Sequence, residues 1–144
     1  MQGIILSVIA GVFISLQTVF NSRVSERFGL WATTTLVFVV GLAVAIPVFL
    51  LVGEGSLFHI EEVNLLYMTG GLFGVGIVYS IMRGIRALGP AYAVSIVLVA
   101  QLLLALIIDT FGLFGSEVIP FSFTKLAGLL VMIIGILVFK MKDK

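Results

Sequence analysis

The stretch LVAQLLLALIIDTFG, residues 98–112, decides how the chain is read. Thirteen of its fifteen residues suit a helix facing hydrocarbon, and the exceptions are an amide, Gln101, and an acid, Asp109. The run is continuous, whereas a strand of an outer-membrane barrel alternates over roughly ten residues. It is therefore expected to be part of a membrane helix, which needs about 20 mostly apolar residues. The composition agrees. The 144 residues are 61% hydrophobic and only 10% charged, against about 25% charged in a soluble domain. Such a chain cannot cover itself with polar surface, so lipid is its expected solvent.

The same composition narrows the function. A net charge of +1 without a basic run gives no footprint for nucleic acid. There are no cysteines, which removes disulfides and thiolate metal sites. The single histidine, His59, lies in a polar stretch, so a histidine zinc site or a histidine-dependent triad within the spans is not expected. No cofactor is expected, and no nucleophile–base pair stands in the apolar runs. An intramembrane enzyme is thus the weakest class.

Working outward, five spans are expected, at residues 4–21, 31–52, 65–82, 91–113 and 123–139. Together they make one all-α integral membrane domain over residues 1–144. The intervening stretches SRVSERFG, GEGSLFHIEEVN, RGIRALGP and FGSEVIPFS carry charge or turn chemistry. Pro90 cannot continue a helix but suits the first turn of the next one. Pro47, inside the second span, is expected to kink it. The first basic residue, Arg23, follows the first apolar run, which is therefore expected to be a retained span and not a cleaved leader.

Orientation follows from Lys and Arg. With the N-terminus outside and the C-terminus in the cytoplasm, Arg23, Arg27, Arg83, Arg86, Lys140, Lys142 and Lys144 share the cytoplasmic side. Lys125 alone falls outside, with Glu54, Glu61, Glu62 and Glu117. Seven against one predicts a single orientation.

Small and polar residues interrupt the spans. Gly70 and Gly74 form a small-xxx-small pair that lets a neighbouring helix approach. Gly128 and Gly135, seven apart, share a face to within about 20° and offer a seam for a helix of this chain or of a second copy. TGGLFGVG is not a nucleotide loop, because Tyr79 stands where its last glycine would fall. Gln17 and Asn21 are i and i+4 and share a face. Gln101 is near mid-span, and Asp109 lies about 12 Å further along the helix and about 80° around it. Both can border one groove. An ionised acid at mid-membrane costs about 2.5 kcal/mol or more, and taking up a proton avoids part of that cost. Asp109 is thus either a titratable site or an acid reaching interfacial water. Gln101 is either a cavity residue or interhelical glue. Arg83 and Arg86 read as anchors at the headgroups. Tyr79 and Tyr92 either line a pocket or sit near the headgroups.

SLQTVFNSRV (residues 15–24) resembles the Q-x-x-x-N pattern of the YdcZ-like family of the drug/metabolite transporter superfamily. LGPAYAVSIVLVAQLLLALIIDTFGLFG (88–115) and KLAGLLVMIIGILVF (125–139) are similar to its glutamine, D-x-F-G and glycine-rich last helix. The last helix is also similar to that of small multidrug resistance transporters. The resemblance implies a bacterial cytoplasmic membrane protein forming half of an inverted-repeat transporter fold, with Gln17, Asn21, Gln101 and Asp109 as motif residues. The first span lacks the mid-helix glutamate of the small multidrug resistance group, so their exchange mechanism does not carry over directly.

A single copy of an odd number of spans must find its second half elsewhere. With the charge bias above, the expected partner is a homologous chain of opposite orientation, with a homodimer as the alternative. The expected function is secondary transport of an unidentified small molecule. The alternatives are a structural or assembly subunit and a lipid-carrier flippase.

Overall fold

The computed structural model describes residues 1–53 and 68–141. His59, Glu54, Glu61, Glu62, Lys142, Lys144 and the start of the third expected span lie outside the described residues. Among the described residues, five helices are long and apolar enough to cross a membrane: α1 Gln2–Phe28, α2 Leu30–Val52, α3 Gly70–Leu88, α4 Pro90–Phe111 and α5 Phe123–Met141. The protein is an all-α membrane protein, and no strand occurs among the described residues.

Two of the stretches expected as breaks are largely helical. SRVSERF extends α1 to Phe28, and RGIRAL extends α3 to Leu88. Their charges mark where hydropathy changes, not where the backbone turns. Arg23 and Glu26 pair at i,i+3 within α1, and Arg27 and Arg86 lie in last turns, where the helix dipole favours cations. A single glycine makes each joint. Gly29 has φ 86° and ψ 162°, and Gly89 has φ 81° and ψ 159°. This region of backbone space is essentially restricted to glycine. Pro90 occupies the first turn of α4 as expected. α2 continues through Pro47 as one helix and closes on Gly53 in the left-handed conformation, whose N–H donates to Phe49 O.

The described residues form two compact units, Met1–Arg86 and Ala87–Lys144. In the first, α1 packs on α2. The buried positions on α1 and α2 are small hydroxyl residues, Thr18, Ser22 and Ser25, Thr33 and Thr34, and those on α3 are the apolar Met82 and Ile85. Thr18, Ser25 and Thr34 each donate to a carbonyl of their own helix and Thr33 to the carbonyl of Gly29 at the joint, at 2.7–2.9 Å. These hydroxyls are satisfied locally and their size allows close approach. Large apolar side chains point outward, Leu51 at 86% and Phe13 at 66% exposure. In lipid, that surface has no reason to hide.

In the second unit, α4 packs on α5. The connection turns through three left-handed residues, Gly112, Phe114 and Gly115. It folds back on the end of α4, where the Ile119 N–H donates to Asp109 O at 2.9 Å. A Cβ on Gly112 would stand 2.5 Å from Val118 Cγ2. Ser122 caps α5, its Oγ accepting from the Thr124 N–H.

These glycines differ in what they permit. Gly29→Ala and Gly89→Ala are each expected to cost about 1–3 kcal/mol, the strain of a residue forced into a glycine-only region. Gly41→Ala lies within α2 with open space around it, and should be neutral or raise stability by up to about 1 kcal/mol. Thermal unfolding of the three variants in one detergent checks the ranking; equal losses at all three would contradict it.

Candidate functional site

Asp109 occupies the last turn of α4 and Lys125 the first turn of α5. Each charge has the wrong sign for its helix end, since the dipole favours cations at C-termini and anions at N-termini. The chain reversal through Gly112 and Gly115 brings them together, with Lys125 Nζ 4.0 Å from Asp109 Oδ2. Both side chains remain about two-fifths exposed. In water such a pair is worth at most about 1 kcal/mol, so it offsets the two dipole penalties without making the site rigid.

The pair closes one end of a groove between α4 and α5. This part, of about 330 Å³, is lined by Leu102, Ala105, Leu106, Gly128, Leu129 and Met132 besides the two charges. At Met132 it meets a second part of about 260 Å³, bounded by Ser95, Leu98, Gly135, Ile136 and Phe139. A Cβ on Gly128 or Gly135 would meet nothing within 4 Å. The two glycines thus leave open space along one wall. Apart from Ser95, this part of the lining is apolar, so the groove combines an oily channel with a dipolar end.

The other residues singled out by the sequence are dispersed. Gln101 is exposed on α4 and is not part of the groove lining, unlike Asp109. Gln17 is exposed and Asn21 half-buried on α1, while their neighbours Thr18 and Ser22 take the buried positions. Tyr79 lies against Trp31, with ring centroids 4.6 Å apart. Tyr92 lies under Lys140, whose Nζ is 4.6 Å from the ring centroid, a cation–π contact. A Cβ on Gly74 would come 3.1 Å from the Phe38 ring, so a side chain of α2 reaches the backbone of α3 there. Gly70 has open space.

Two partnerships were not anticipated. Lys125 was placed outside by its charge alone, although a lone outer cation and an acid at the facing end of the preceding helix were a usable signal. Arg86 is more than an anchor. Its Nε and Nη2 donate to Ser25 Oγ at 3.0 and 2.7 Å, tying α3 to α1. Ser25 in turn donates to Ser22 O. Nothing in the spacing of residues 25 and 86 announces this bond.

Ser25→Ala removes the acceptor of both guanidinium bonds, and is expected to cost about 1–3 kcal/mol. Ser22→Ala, which keeps the backbone carbonyl that Ser25 uses, should cost less. Thermal unfolding in detergent distinguishes them; the reverse order would contradict the assignment.

A family model described as "Putative inner membrane exporter, YdcZ" matches residues 2–138. No curated protein and no solved structure matches the chain.

Proposed function

The chain belongs to this family of inner membrane exporters, and we propose that it forms one half of a two-subunit carrier for a small molecule. The family is one of exporters and not of enzymes. The observation that carries the two-subunit reading is Gln101. It lies mid-helix and is exposed, and among the described residues it makes no hydrogen bond. A primary amide left against hydrocarbon costs several kcal/mol. A second chain laid against α4 would supply its partner and complete a cavity. Gln17, exposed on α1, and Asn21 beside it would serve substrate or the moving interface in the same way.

The partner in this reading is a homologous chain of opposite orientation. Seven cytoplasmic Lys and Arg against one outside hold this chain with its C-terminus in the cytoplasm. Two such copies cannot make an antiparallel pair, while a chain with the reverse bias can. Asp109 then provides the exchangeable charge. Its ion pair with Lys125, at 4.0 Å and about two-fifths exposed, is loose enough to open.

A reporter fused after Lys144 should be active only when it reports the cytoplasm; equal activity on both sides would overturn the fixed orientation. In proteoliposomes holding both chains, Asp109→Asn should abolish pH-driven export while the two chains still co-purify. Unchanged coupling would remove Asp109 from the mechanism.

A further inference from the structure

The two ends of helix that meet at the groove form an electric pattern. The C-terminal end of α4 carries Asp109 and its own negative dipole end, and the N-terminal end of α5 carries Lys125 and a positive dipole end. The site therefore offers an acidic half and a basic half, 4.0 Å apart at the charged atoms. A ligand of one sign gains from one half and is repelled by the other. A zwitterion gains from both, with its cation on Asp109 and its anion on Lys125.

Below the charges, the groove runs from Asp109 to Ser95 along α4, about 21 Å at the rise of a helix. Half of a hydrocarbon core is about 15 Å, so the groove is deep enough for a lipid tail from one leaflet. Its lining beneath the charged pair is apolar except for Ser95. The space over Gly128 and Gly135 lies along this path and is open. A small polar zwitterion would leave all of this unused.

We propose that the α4–α5 groove binds a phospholipid whose headgroup is a primary ammonium joined to a phosphate, a phosphoethanolamine lipid. The phosphate sits on Lys125 at the positive dipole end of α5. The ammonium donates hydrogen bonds to the Asp109 carboxylate, and one acyl chain lies over Gly128, Met132 and Gly135. A quaternary ammonium cannot donate such bonds, so a phosphocholine lipid fits less well. A phosphoglycerol lipid brings its negative charge without a cation for Asp109. Binding does not depend on transport, so it survives even if the carrier reading fails.

The test is thermal unfolding of the purified chain in mixed micelles with phosphoethanolamine, phosphocholine or phosphoglycerol lipids of identical tails. The expected result is the largest upward shift with phosphoethanolamine, with an apparent affinity roughly tenfold above the other two, the value of about one charge-assisted bond. Asp109→Asn and Lys125→Gln should each remove the preference, and Gly128→Leu should weaken all three lipids by filling the groove. The lipid-free unfolding of each variant shows whether it has folded, and the wild-type ranking stands without the variants. Equal shifts for phosphoethanolamine and phosphocholine lipids would overturn the proposal. So would a preference that persists in both charge variants. Free phosphoethanolamine producing the same shift as the lipid would assign the site to a soluble zwitterion and overturn it as well.

Discussion

Hydrocarbon offers no hydrogen bonds, and most of this structure follows from that constraint. Every backbone group inside a bilayer must find its partner within the protein, which leaves helices as the economical form for continuous apolar runs. The same rule acts on side chains. Thr18, Ser25, Thr33 and Thr34 turn their hydroxyls back on nearby backbone carbonyls, so α1 and α2 can meet through small polar residues without a buried donor left over. The pattern departs from that of a soluble bundle. Small hydroxyl residues share the inside with a few apolar ones such as Met82 and Ile85, while Phe13, Leu51 and their neighbours face outward. What holds the helices is close fit, as where Phe38 fills the space beside Gly74.

Against that background, polar groups with no local partner stand out. Arg86 finds Ser25. Asp109 and Lys125 find each other, although each stands at a helix end whose dipole opposes it. A structural role alone would be served better by the opposite arrangement, with the cation on α4 and the acid on α5. Keeping the unfavourable one is the kind of local conflict that accompanies a functional site. The groove that leads away from the pair, with open space over Gly128 and Gly135, gives the conflict a purpose.

Much of the fold was legible in the sequence because hydropathy and lipid solvation are nearly the same statement. Five apolar runs gave five helices, and Pro90 began one of them. Helix ends were less legible. SRVSERF and RGIRAL read as breaks because they carry charge, yet charge ends only the apolar span, and the backbone turns at Gly29 and Gly89. The site was partly legible. Asp109 was marked by its cost in lipid and Gly128 with Gly135 by their spacing, and all three line the groove or its continuation. Lys125 was not, because its meaning depends on a reversal through Gly112, Phe114 and Gly115 that residue spacing does not reveal. The Ser25–Arg86 bond joins positions 61 apart and has no periodic signature.

The central claim is that the Asp109–Lys125 pair is held for function against the local preference of its helix ends. The double exchange Asp109→Lys with Lys125→Asp tests it most directly, because it preserves the ion pair and reverses only its direction. Thermal unfolding and export should be measured on the same preparation. The exchanged chain should be more stable than the wild type, by on the order of 1 kcal/mol from the corrected dipole interactions, and deficient in export. An exchanged chain that is less stable, or that exports as well as the wild type, would contradict it.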